Sequence, residues 1–322
     1  MSTPRTTILR WTGRGSLNDL RSSVSYVLDL EGVKANVSEL GDSLTLVGTE
    51  PLRLAALFSN MPGVSWVAAG FTARSLGELS TAAGQLAKRY LRKGDRFSVG
   101  VEGTAGVLAS DISGIVTSAA LDAVKGSRVS NESPRVRFRS AFDGQNGVAG
   151  VEVRRGPGGA PTGRDQVACL VSGGIHSSVV AWNAVLQGFR VRLVHARYSE
   201  ESMRAVARLY SELSYRADPR GLSLEVLEGE SVGSTLSRYA GTSSMKVFAG
   251  YTSGNKRRQL QKVISPLYLM SEERFASESE AMGIQSFDAL EEWDKKGKGK
   301  RLVRRIVGKR ADVSGVLDGI EQ

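Results

Sequence analysis

Cys169-Leu170-Val171-Ser172-Gly173-Gly174-Ile175-His176-Ser177-Ser178 joins an apolar run, Val167 to Val171, to a helix-like run, Val179 to Leu186. An extended segment that stops at Ser-Gly-Gly and restarts at two serines predicts a strand, a glycine turn and a helix N-terminus. That order builds an anion pocket. Backbone N–H groups point outward, the helix dipole adds partial positive charge, and glycines let a phosphate come close.

Downstream the pattern keeps alternating. Strands are expected at 167–171, 189–196, 223–227 and 245–249, and helices at 177–187, 203–217, 255–263 and 271–282. Short strands alternating with helices predict an open parallel sheet covered on both faces. Ligands of such sheets bind beyond the carboxyl ends of the strands. Those ends are Ser172-Gly173-Gly174, His195-Ala196 and Gly250-Tyr251-Thr252. His195 reads either as a ligand contact or as a satisfied histidine at a strand end. The chain closes on a glycine-spaced basic run, Lys295 to Arg301, then Arg304-Arg305 and Lys309-Arg310, which suits phosphates or simple solvation.

Upstream, residues 6–11 read as a strand, and 17–29 as an amphipathic helix with Leu17, Leu20, Val24, Val27 and Leu28 inward. Strands at 33–40 and 44–47 flank a Gly41-Asp42-Ser43 turn, a helix runs from Pro51 to Phe58, and a strand covers 63–69. The order β-α-β-β-α-β predicts a ferredoxin-like unit, a fold that names no function by itself. A helix from Ser75, a strand at 97–101, a helix capped at Ser110-Asp111 and a hairpin of 136–142 with 150–154 make a second small module. Lys88, Arg89, Arg92, Lys93, Arg96, Arg128, Arg135, Arg137 and Arg139 mark it as an RNA platform. Phe97, Phe138 and Phe142 read as core residues on the opposite strand face. Gly156 to Gly163 packs four glycines and two prolines into eight residues, which predicts a linker at 156–165.

The 322 residues carry a formal net charge of +10, which suits polyanionic partners such as RNA or DNA and equally a solvated basic surface. One cysteine and two histidines exclude a disulfide framework, and they argue against a protein-built metal site. The sequence shows neither a signal peptide nor a membrane-length apolar run, so a cytoplasmic protein without membrane contact is expected.

Ser-Gly-Gly-Ile-x-Ser-Ser after a strand lacks Walker spacing and resembles the PP-loop of N-type ATP pyrophosphatases. The Gly/Pro stretch before it resembles the junction between THUMP and PP-loop domains in the tRNA 4-thiouridine synthetase (ThiI) family. Val191 to Ala196 resembles that family's second PP-loop-domain strand, and Gly250-Tyr-Thr-Ser-Gly254-Asn255-Lys-Arg-Arg-Gln259 resembles its nucleotide-contacting segment. The resemblance covers nearly the whole chain and is to the archaeal type without a rhodanese domain. It implies an α/β and α+β multidomain protein. A ferredoxin-like domain would span 1–72, a THUMP domain 73–155, and an adenine-nucleotide alpha-hydrolase-like (PP-loop) parallel α/β domain 166–322. It also implies tRNA as partner and ATP with Mg²⁺ as cofactors, for adenylation of a uridine that sulfur then attacks. It leaves a homodimer open. Leu170, Val171, His195, Ala196, Gly250 and Gln259 would contact adenine and ribose. Ser172, Gly173, Gly174, Ile175, Ser177 and Ser178 would hold the phosphates.

The departures from the family bear on catalysis. Its loop carries an aspartate where this chain has His176, and an imidazole is no substitute for a hard oxygen ligand of Mg²⁺. Tyr251 stands where the family has a glutamate, and the C-terminal part lacks the family's cysteine. An external sulfur donor or sulfide would then be needed. Cys169 is the remaining sulfur, but its place in a buried strand reads as a small apolar residue. The expected function is therefore tRNA and nucleotide binding, with 4-thiouridine synthesis reduced or lost; the alternative is a non-catalytic binding protein.

Overall fold

Thr6 to Leu9 are buried on both sides, which places β1 (Thr6–Trp11) in the interior of its sheet. The computed structural model describes residues 5–104, 106–197, 199–228, 234–235, 239, 245–250, 263–266, 270–271, 273–277 and 303–307. The Ser16 hydroxyl accepts from the Asn18 N–H and starts α1 (Leu17–Leu30), whose Leu20, Val24, Val27 and Leu28 turn inward. β2 (Ala35–Leu40) and β3 (Ser43–Gly48) form a hairpin, and α2 (Pro51–Phe58) opens on its proline. β4 (Val64–Ala73) runs on past the expected end at Ala69. These strands lie in the antiparallel order β2-β3-β1-β4, which is the ferredoxin-like arrangement.

The next segment makes α3 (Leu76–Tyr90), β5 (Arg96–Thr104), α4 (Ala109–Ala123), β6 (Arg128–Val129), β7 (Val136–Phe142) and β8 (Gly147–Arg155). Ser110 and Asp111, expected as the cap of α4, lie in its first turn instead; Leu108 holds the cap position without a side-chain bond. Phe97, Phe138 and Phe142 are core residues as expected, the first two in edge-to-face contact with centroids 5.6 Å apart.

The two halves share a sheet. β4 pairs with β8 from Trp66↔Arg155 to Ala73↔Gly147, giving eight strands in the order β2-β3-β1-β4-β8-β7-β5-β6. One face carries the helices: β4 gives Val67 to the core under α1 and α2, and Phe71 and Ala73 to the core under α3 and α4. The other face curls over itself. β1 and β5 stand four places apart in that order, a separation of about 19 Å in a flat sheet. Yet Arg10 Nη2 of β1 lies 3.2 Å from Glu102 Oε2 of β5. The Gly/Pro stretch is held by this same body. Gly156 and Gly158 N–H donate to Ser65 O and Val64 O, and the Thr12 hydroxyl donates to Gly159 O at 2.6 Å.

The chain forms two compact units, Met1–Pro161 and Thr162–Gln322. The second contains β9 (Gln166–Leu170), α5 (Ile175–Leu186), β10 (Arg190–Arg197), α6 (Glu200–Arg216), a short turn at Pro219–Gly221, β11 (Leu222–Glu228), β12 (Lys246–Ala249), β13 (Val263–Ile264) and β14 (Val303–Val307). Its sheet runs β13-β12-β9-β10-β11-β14. β9 to β13 are mutually parallel, but β14 lies antiparallel on β11. The expected all-parallel sheet therefore has one antiparallel edge, and the segment read as a basic tail supplies a strand. Val263, expected to end a helix, belongs to β13.

Candidate functional site

Strand order fixes where a ligand belongs in the second unit. The chain steps from β9 to β10 and β11 on one side, then crosses to β12 on the other, so the order reverses at β9. Such a switch point opens a crevice at the carboxyl ends of the strands. The Ser172-Gly173-Gly174 turn fills this position. Gly173 has φ +90°, a left-handed conformation that disfavours a side chain, and a Cβ on it would stand 2.7 Å from Ala205 Cβ of α6. Gly250, at the end of β12, comes so close that its Cβ would lie 2.8 Å from Ser177 N. The structure thus brings Gly173, Gly174, His176, Ser177 and Gly250 together.

The serines stitch the turn from inside. Ser177 Oγ donates to Gly174 O at 2.9 Å and accepts from Ser172 N–H at 3.2 Å. Ser178 Oγ donates to Gly174 O at 3.1 Å, and Ser172 Oγ accepts from Gly174 N–H at 3.2 Å. All three serines are buried and hold the loop in shape from inside. Gly174 caps α5 with no side-chain bond of its own.

A 4-thiouridine synthetase solved as an RNA complex with bound ATP aligns with 94% of this chain and 100% of its own, with a TM-score of 0.67 and 16% identity. PH1313 of Pyrococcus horikoshii Ot3 covers 87% of this chain and 99% of its own, with a TM-score of 0.66 and 16% identity. No family model and no curated protein matches the sequence. This chain has the fold of 4-thiouridine synthetase. The fold class expected from the sequence is thereby met, a mixed sheet followed by a PP-loop-type α/β sheet.

On this synthetase fold the family-assigned positions fall as follows. Leu170, Val171 and Ala196 are buried at the ends of β9 and β10, and Ile175 is half-buried in the first turn of α5. Gln259 lies outside the described residues. His195 is wholly buried with both ring nitrogens engaged, Nδ1 2.8 Å from Val171 O and Nε2 3.2 Å from Ser202 Oγ. Burial pushes its pKa down to about 4, so the ring is neutral at physiological pH. Cys169 is also wholly buried, and burial pushes its thiol far above the ordinary range. It packs as a small apolar residue, and no nucleophilic thiolate forms there.

His176 is half-buried and stacks on Phe275, with ring centroids 4.7 Å apart and planes inclined by 19°. Gly173 packs directly on α6, and the turn it allows leads into the N-terminus of α5, a backbone setting suited to phosphate groups. Mg²⁺ does not fit. Position 176 offers an imidazole in a stack, and among the described residues no group of three His, Cys, Asp or Glu side chains could hold a metal ion.

The first unit gathers cations at one end of β5, β6 and β7. Arg96 and Arg128 sit side by side in register, Arg135 N–H donates to Arg96 O, and Gly94 N–H donates to Gly126 O. Lys88, Arg89, Arg92, Lys93, Arg96 and Arg128 are exposed there, without an ion pair among the described residues. Arg135 pairs with Asp95. Arg137 is half-buried on the sheet face away from the helices.

Arg139, expected among the RNA contacts, lies in an ionic cluster on the sheet face away from the helices. Its Nε and Nη2 donate to Glu152 Oε2 at 3.0 and 2.6 Å, and its guanidinium lies 4.8 Å from the Trp66 ring centroid. Together with Arg10 and Glu102 it closes the curled face of the sheet. Sequence reasoning missed this cluster because its members, from Arg10 to Glu152, meet only through the strand order.

Proposed function

We propose that this protein binds tRNA through the basic end of its first unit and an adenine nucleotide through the Ser172-Gly173-Gly174 turn, with uridine thiolation reduced or lost. The observation that carries this reading is the loop itself. Its backbone is shaped for phosphate at the switch point, while the position that would serve a metal is an imidazole stacked on Phe275. The neighbouring synthetase that holds RNA and ATP has the same fold, which supports both ligands.

In this reading the N–H groups of Gly173 and of the first turn of α5 hold the phosphate chain, and the buried serines keep that loop in shape. Transfer of AMP to a uridine oxygen expels pyrophosphate, whose charge needs a counter-ion that no described carboxylate cluster holds here. Sulfur would come from outside the protein, since Cys169 is sealed in the core.

The test is incubation with ATP, Mg²⁺, unmodified tRNA and sulfide. Nucleotide binding without the absorbance of 4-thiouridine is expected. Rapid accumulation of that absorbance would overturn the loss of catalysis, and a gain on His176→Asp would locate the defect at the loop.

For the RNA, Arg92→Gln combined with Arg128→Gln should lower the slope of log affinity against log salt by about 1.4 to 1.8, since each phosphate contact contributes about 0.7 to 0.9. Filter binding between 50 and 200 mM salt measures it, at roughly the range over which phosphate contacts weaken. An unchanged slope would remove those two residues from the interface.

A further inference from the structure

His195 is the least explained polar group near the loop. It is fully buried within β10, one residue after Val194, whose carbonyl pins the loop's entry. Val171 N–H donates to Val194 O at 2.9 Å, and Val171 O lies 2.8 Å from His195 Nδ1. A carbonyl oxygen only accepts, so Nδ1 carries the ring proton and Nε2 is left as an acceptor. Ser202 Oγ lies 3.2 Å from it, and its single proton is shared between Nε2 and the Ser199 carbonyl oxygen, 2.8 Å from the same hydroxyl.

Ser202 is no ordinary surface serine. It is the third residue of the α6 capping box, where its N–H donates to Ser199 Oγ and its Oγ accepts from Ser199 N–H. The same first turns of α6 form the floor under the glycine loop. A Cβ on Gly173 would meet Ser202 O at 3.3 Å and Ala205 Cβ at 2.7 Å. One ring therefore spans the residue that enters the phosphate loop and the helix turn that supports it.

We infer that His195 is a positioning residue for the phosphate loop, holding the Val171 carbonyl and the Ser202 hydroxyl at a fixed distance so that the loop keeps its anion-binding shape. The ligand feature it serves is the polyphosphate chain of the nucleotide and not the base. This rests on the nucleotide reading above, but the ring's role is set by geometry within the protein.

Two substitutions separate the two bonds. In His195→Asn the side-chain amide can take the place of Nδ1 and keep the Val171 bond; in His195→Gln it reaches toward Ser202 and gives up Val171. Affinities for ATP and for adenosine, measured by calorimetry, distinguish positioning from base contact. His195→Gln should weaken ATP about tenfold, equivalent to roughly 1.4 kcal/mol. Adenosine should be unaffected, and His195→Asn should recover most of the ATP loss. A parallel loss of adenosine and ATP would make His195 a base contact or a general folding residue, and an unchanged ATP affinity in His195→Gln would also overturn the inference.

A ligand-free measurement stands beside it. Hydrogen exchange at the amides of 172–177 should speed up in His195→Gln while the later turns of α5 keep their protection. Equal exchange in both proteins would refute positioning even if the wild type bound nucleotide. Should the wild type bind neither ligand, the nucleotide reading fails by itself, and the exchange result still decides what His195 does to the loop.

Discussion

Glu152→Ala is expected to lower the melting temperature of the first unit by about 6 to 12 °C. Glu152 is nearly buried, and both of its oxygens face arginines, Arg139 at 2.6 Å and Arg155 at 3.6 Å. Removing it leaves Arg139, a mostly buried guanidinium, with the Trp66 ring beside it and a 3.8 Å contact to Glu102 as its remaining ion pair among the described residues. Breaking one partner out of a buried pair costs about 3 kcal/mol, more than the intact pair contributes, because the charge left behind is desolvated. Each kcal/mol shifts a unit of this size by about 2 to 4 °C. Thermal melts followed by circular dichroism measure the effect, with Glu152→Gln as a milder comparison that keeps an acceptor for Arg139. A melting point unmoved by the alanine would mean that the ionic cluster on this face is ornamental to stability.

Gly173→Ala should abolish most nucleotide binding, reducing ATP affinity about 100-fold, or roughly 2.7 kcal/mol. Two costs add. A left-handed φ disfavours any L-residue by about 1 to 2 kcal/mol. The new methyl also meets Ala205 Cβ at 2.7 Å, so α6 must retreat from the loop it supports. Gly174→Ala is the control, because Gly174 has φ −75° and ψ 157°, a conformation open to alanine. ATP titration of both variants checks this, and equal affinities would show that the shape of the turn is irrelevant to binding.

Much of this architecture was legible in the sequence. Apolar periodicity marked the principal helices of both units, and the glycine turn could be placed between strand and helix because its neighbours were unambiguous. What stayed hidden depended on contacts between distant residues. β6 has two residues, too few for a period, and β14 lay inside a run of Lys, Arg and Gly whose composition outweighed Val303 and Val307. The alternation Val136, Phe138 against Arg137, Arg139 showed which residues share a face. It could not show that β1 and β5 meet across that face and take Arg139 out of solvent. His195 posed the same problem: its position at a strand end was readable, but its partners, twenty-four residues back and seven ahead, were not. The capping-box serine spacing at Ser199 and Ser202 was the one available hint.

The seam between β4 and β8 also governs how the first unit comes into being. As the polypeptide is synthesised, the ferredoxin-like half emerges with β1 seated on one edge of β4, while the other edge waits for a strand that ends at Arg155. Until then a ten-residue strand, Val64–Ala73, presents unpaired N–H and C=O groups flanked by apolar side chains. An edge of this kind invites pairing with other chains. Long-range closure also slows folding, because the loop entropy is lost before the pairing compensates for it. The first 161 residues therefore mature as one cooperative body, and a fragment cut between the two halves would expose an adhesive edge.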